Sequence, residues 1–109
     1  MVLELGGQNP LIVLADADLE YAVNATAFGT FLHQGQICMS ARRIIVERPI
    51  AKEFIDKLVA KTKGLKVGSP TEMDTIIGPL INKQALDQVG ARVDEAVKGG
   101  AKVLTGGKA

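Results

Sequence analysis

The chain predicts an α/β fold: a partial parallel-sheet domain running strand, helix, strand, helix, helix, strand. Three observations carry that expectation. Short apolar runs without alternation occur at residues 11–14 and 44–46, apolar residues recur at helical spacing between and after them, and turn-forming residues sit at the junctions. Strand–helix–strand order favours parallel pairing through right-handed crossovers.

Taken in order, Met1, Val2, Leu3, Glu4 and Leu5 open the chain in a strand-like run, and Asn9-Pro10 reads as a turn. Residues 11–14 (Leu, Ile, Val, Leu) suit a strand buried on both faces. Asp16 and Asp18 offer N-cap oxygens to a helix with Leu19, Ala22, Val23, Ala27 and Phe31 on one stripe, ending near His33, with Gly35 as breaker. Ile44, Ile45 and Val46 are β-branched and form the second strand. Pro49 suits the first turn of the next helix, whose stripe is Ile50, Phe54, Ile55, Leu58 and Val59, with Gly64 as its stop. Residues 65–80, rich in Gly, Pro, Ser and Thr, form a connecting loop. Asn82 caps a third helix with Leu86, Val89, Val93 and Val97 on one face; Gly99-Gly100 ends it, and residues 102–105 form a last strand. Three strands make a thin sheet, so much apolar surface is expected to stay exposed unless a neighbour covers it. A chain that opens and closes on strand-like runs reads as a piece of a longer protein.

Composition narrows the function classes. With 13 basic and 12 acidic residues among 109, the net charge of +1 gives no reason to expect nucleic acid or an anionic membrane as partner. Aromatic residues are scarce and tryptophan is absent, so base-stacking platforms are not expected. No stretch approaches a membrane span or a signal peptide. One cysteine excludes an intrachain disulfide scaffold. The expectation is a cytoplasmic domain with no metal site.

Two side chains carry chemistry. Cys38 follows Gly35-Gln36-Ile37 and precedes a strand, so its thiol sits in a loop that a substrate can reach. A thiolate nucleophile needs nearby positive charge or amide dipoles; Arg42 and Arg43 follow at four and five residues, and either can face the sulfur. A lone buried cysteine acting as a small hydrophobe is the plainer alternative. Glu4, flanked by Leu3 and Leu5 before Gly6-Gly7, is expected to be partly buried, which would make it a better base. Its plainer alternative is a solvent-facing carboxylate on an edge strand. His33, the only histidine, reads as a helix-end or solvent-facing residue rather than a base.

The two segments together resemble the active-site signatures of the aldehyde dehydrogenase superfamily. Glu4-Leu5-Gly6-Gly7 matches the glutamate motif. Phe31, three residues, Gly35-Gln36, one residue, Cys38 matches the cysteine motif, 34 residues after Glu4. The likeness runs the length of the chain, including Ile77-Gly78-Pro79-Leu80, and the string from His33 to Ser40 looks like the benzaldehyde or vanillin dehydrogenase branch. Departures are Gln8, where the family has lysine, and Ser40 two positions after the cysteine.

The resemblance implies part of an aldehyde dehydrogenase catalytic domain over residues 1–109. Cys38 would be the nucleophile that forms a thiohemiacetal and then a thioester, and Glu4 the base that activates water. NAD or NADP would accept the hydride, and the Cys38 N–H would be one oxyanion donor. Leu5 and Gly6 match positions near the nicotinamide. Ile37 and Met39 would line the aldehyde entry with Phe28, for which a core role is an equal alternative. The cofactor-binding domain, the asparagine that completes the oxyanion hole and the Glu-x-Phe-Gly-Pro ribose motif are not in this sequence, so the segment alone is expected to be inactive as a dehydrogenase. The parent enzyme would be a homodimer or homotetramer. An inert α/β piece and a residual cysteine esterase are the competing readings. A redox-sensing thiol is disfavoured, because no second cysteine could resolve it.

Overall fold

The computed structural model describes residues 1–108. They fall into two units, Met1–Leu65 and residues 66–108. The first holds strand β1 (Asn9–Val13), helix α1 (Leu19–Phe31), a 3-10 turn (Leu32–Gly35), strand β2 (Ala41–Val46) and helix α2 (Arg48–Lys63). The second holds helix α3 (Lys83–Lys98).

β1 and β2 pair in parallel, placing Leu11 beside Ile44, Ile12 beside Ile45 and Val13 beside Val46. Asn9-Pro10 therefore belongs to the strand rather than to a turn before it. The register shifts between these two residues, and a proline without an N–H is tolerated at such an irregular strand start. One face of the pair, Leu11, Val13, Ile44 and Val46, packs under Leu19, Ala22 and Val23 of α1 and Ile50, Phe54 and Leu58 of α2. Phe54, at 1% exposure, is the largest fully buried side chain; burying a ring of this size contributes about 1.5–3 kcal/mol. The opposite face is open: Ile12 is 64% exposed, and Leu14 and Ile45 are also exposed. The strand expected to be covered on both faces is thus covered on one, because both helices lie on the same side.

The helix boundaries follow local chemistry. Asp18 caps α1 by accepting from the Tyr21 N–H at 2.9 Å. The helix stops at Phe31 rather than near His33, because His33 and Gln34 both take left-handed backbone, with φ of 51° and 58°. Pro49 lies in the first turn of α2 and Gly64 forms its C-cap. At the far end of the sheet the Glu47 N–H donates to the Val13 carbonyl at 3.0 Å, while the Glu47 carboxylate accepts from the Ala15 N–H.

In the second unit the Asn82 Oδ1 accepts from the Ala85 N–H at 2.8 Å and starts α3 as its sequence predicts. Residues 65–80 form a loop in which Val67 and Ile77 make an isolated parallel bridge. Lys66 Nζ holds that loop closed, donating to Glu72 at 2.5 Å and Asp74 at 2.8 Å. Two expectations fail. Residues 102–105 form no strand, and neither do residues 1–5. A strand exists only through a ladder partner, and neither run has one. Among its described residues, no side chain of the second unit is buried, including the apolar face of α3.

Candidate active site

The site sits at the amino end of the parallel pair. Asn9 opposes Ala41 in the register, so the segment ending in Gly7-Gln8 and the segment ending in Met39-Ser40 arrive side by side. Ligands in open parallel sheets usually gather at the carboxyl ends of strands; this constellation gathers at the other edge.

Cys38 is exposed and occupies a tight turn closed by the Ser40 N–H donating to the Ile37 carbonyl at 3.1 Å. Local geometry explains the shape of the loop before it. Gly35 has φ +72°, and a Cβ there would lie 3.0 Å from the Thr30 carbonyl oxygen, so glycine is required where the chain leaves the 3-10 turn. Arg42 Nη2 donates to the Gly35 carbonyl at 3.2 Å, and this arginine thereby straps the loop to β2. Two consecutive non-glycine residues in left-handed backbone, His33 and Gln34, cost on the order of 1–2 kcal/mol each. Such conformations concentrate where a loop is held for function.

Glu4 is exposed, against the expectation of partial burial. Its Oε1 accepts from the Gly6 N–H at 2.7 Å, so the carboxylate closes a local turn. The polar link between the Glu4 segment and the Cys38 loop is made instead by Asn9. Its Nδ2 donates to the Cys38 carbonyl at 2.6 Å and to the Ser40 carbonyl at 3.3 Å. Gly7 packs against the same carbonyl: a Cβ on Gly7 would lie 2.7 Å from the Cys38 oxygen.

The remaining predicted residues lie around this junction or on its rim. Leu5 is 86% exposed, and Gly6, at φ +77°, has open space where a side chain would project. Ile37 is half-buried beside Cys38, Met39 is exposed on its other side, and Phe28 is exposed on α1 rather than in the core. His33 is exposed in the 3-10 turn. Sequence reasoning missed Asn9 and Gly7 as the contacts that join the two motifs. Asn9 carried only a turn signal, since its partners lie 29 and 31 residues away. It also missed the burial of Ser40. Among the described residues no cluster of His, Cys, Asp and Glu could hold a metal ion, and no helix is long and apolar enough to cross a membrane.

Known proteins share the sequence and the fold. Benzaldehyde dehydrogenase YfmT of Bacillus subtilis is 53% identical over 100 residues, covering 92% of this chain and 21% of that protein. The NAD(+) benzaldehyde dehydrogenase of Pseudomonas putida is 50% identical over 107 residues, covering 98% and 22%. The crystal structure of glyceraldehyde-3-phosphate dehydrogenase GapN from Methanocaldococcus jannaschii, complexed with NADP, superposes with a TM-score of 0.93 at 47% identity, over 97% of this chain and 23% of that one. The chain thus spans about a fifth of the length of the relatives it matches. Residues 1–109 match the aldehyde dehydrogenase family throughout, and the chain belongs to that family.

Proposed function

We propose that this chain carries the nucleophile and the base of an NAD(P)-dependent oxidation of an aromatic aldehyde to a carboxylic acid. The observation that carries the reading is the exposed Cys38, held in a tight turn with the Glu4–Asn9 segment packed against its own carbonyl. In this reading the Cys38 sulfur bonds to the aldehyde carbon, and the Cys38 N–H faces the oxygen that gains charge. Bound NAD or NADP supplies the hydride acceptor. Glu4 takes a proton from the water that attacks the resulting thioester, releasing the acid and restoring the thiol. Leu5 and Gly6 offer an open, largely apolar edge with no side chain over Gly6, which fits one face of a flat ring such as nicotinamide. Ile37, Met39 and Phe28 would form the apolar entry for the aldehyde.

The benzaldehyde dehydrogenases among the relatives support an aromatic substrate, and the NAD(+) and NADP in the relatives' names support either cofactor. We read the chain as part of a catalytic domain whose cofactor-binding domain lies outside it, in a homodimeric or homotetrameric cytoplasmic enzyme; the cytoplasm keeps such a thiol reduced. By itself the chain is then silent in NAD(P) reduction with benzaldehyde and retains only slow ester cleavage through Cys38. The test is hydrolysis of p-nitrophenyl acetate. The reading expects Cys38→Ala to abolish it and Glu4→Gln to slow turnover while sparing the first acylation. Cleavage that survives Cys38→Ala defeats the assignment.

A further inference from the structure

We propose that Asn9 is a positioning residue for the Cys38 nucleophile: its carboxamide fixes the peptide that follows the cysteine and thereby keeps the Cys38 N–H aimed at the developing oxyanion. The inference rests on the reading of Cys38 as nucleophile.

One Nδ2 group carries two hydrogens, and both acceptors are backbone carbonyls of the cysteine loop, Cys38 at 2.6 Å and Ser40 at 3.3 Å. The donor thus grips the carbonyls of two residues of the turn. The Cys38 carbonyl is also confined from a second side, since Gly7 backs onto it closely enough to leave no room for a methyl group. The turn itself is closed by Ser40 and Ile37. The peptide that carries the Cys38 N–H is held through its own carbonyl, that of Ile37, by the Ser40 N–H. With the Cys38 carbonyl on the other side of the Cα held by Asn9 and Gly7, neither peptide flanking the nucleophile turns freely. The donor is placed by the sheet and not by the loop: Asn9 opposes Ala41 at the first paired position of β1. A preorganised donor is worth more than a mobile one, because no reorganisation accompanies the appearance of charge.

The test uses the whole chain and exploits its single cysteine. p-Nitrophenyl acetate acylates Cys38: sulfur bonds to the acetyl carbon, the bond to p-nitrophenolate breaks, and a negatively charged tetrahedral oxygen forms on the way. Iodoacetamide alkylates the same sulfur with loss of iodide and forms no such oxygen. Asn9→Asp keeps the shape but turns an acceptor toward two carbonyls, and Asn9→Ala removes the donor. Both are expected to slow acylation about tenfold or more, the scale of a weakened oxyanion donor, while alkylation stays within about twofold. In the unsubstituted chain, selective carbonyl labelling of cysteine gives one resonance, and a coupling across the hydrogen bond from Asn9 Nδ2 to it is expected whether or not the variants fold. Equal slowing of both reagents, no slowing of either, or no such coupling overturns the proposal. Ester cleavage that persists in Cys38→Ala removes the nucleophile reading itself, and that result is independent of any Asn9 variant.

Discussion

Gly7→Ala probes the junction most directly. The added Cβ would lie 2.7 Å from the Cys38 carbonyl oxygen and 2.9 Å from Asn9 Nδ2. A carbon and a carbonyl oxygen settle at no less than about 3.3 Å, so the Cys38 peptide and the Gly7 backbone must part by about 0.6 Å. The atom in the way is backbone and cannot rotate aside. That displacement stretches the Asn9 to Cys38 bond, so the cost combines overpacking, typically 1–3 kcal/mol, with a weakened hydrogen bond of about 1 kcal/mol. We expect a loss of roughly 2 kcal/mol in urea unfolding followed by circular dichroism. Acylation of Cys38 should fall at least tenfold, since misplacement by about 1 Å at a reacting centre costs on the order of a hundredfold. Gly6→Ala is the control. It meets nothing within 4 Å but sits at φ +77°, so it should cost about 1 kcal/mol of backbone strain and leave acylation near its original rate. If Gly7→Ala matches the parent chain in both measurements, the close approach and the reasoning built on it are wrong.

Other outcomes follow from the same geometry. Phe54→Ala empties the centre of the first unit, where the ring is 1% exposed, and should cost about 3–5 kcal/mol in urea titration. Gln34→Val places a β-branched residue at φ 58° and should destabilise by about 1–2 kcal/mol beyond Gln34→Ala, read from thermal unfolding. The Lys66 pKa is raised above 10.5 by its hydrogen bonds to Asp74 and Glu72. A raised pKa in the folded chain means that this contribution is full below about 10.5 and fades as pH climbs through the folded value. The Lys66 Cε resonance should titrate above that of free lysine, and Asp74→Asn should bring the midpoint down; a midpoint at 10.5 in the parent chain would refute the contact.

The three helices were legible in the sequence because their signals are local. A cap, a stripe of apolar residues and a stop lie within a few residues of one another, as Asp18 with Ala22 and Val23, or Asn82 with Gly99, illustrate. Strands depend on partners far along the chain, and there the sequence misled. Residues 1–5 and 102–105 have strand composition without a ladder, and Asn9-Pro10 has turn composition inside one. Burial failed for the same reason. Leu3 and Leu5 around Glu4 suggest an apolar setting, yet neither finds a packing partner and both are exposed with it. Roles for Cys38 and Glu4 were reached through a family pattern, whereas the contact that binds their segments spans 29 residues and leaves no local trace at Asn9.

The parallel register has a consequence for how the chain tolerates change in length. Side chains alternate between faces, so a slip of one residue would turn Leu11 and Val13 outward. The same slip would carry Asn9 away from the carbonyls it holds. Pairing of β1 with β2 in this register therefore also brings Asn9 to the cysteine loop, so the core and the junction share one alignment. Two residues separate Cys38 from Ala41, and that interval cannot change without breaking the match. The connection between Val13 and Leu19 lies outside the ladder, and an insertion at Asp16, clear of the Ala15–Glu47 bond and the Asp18 cap, should be accepted first.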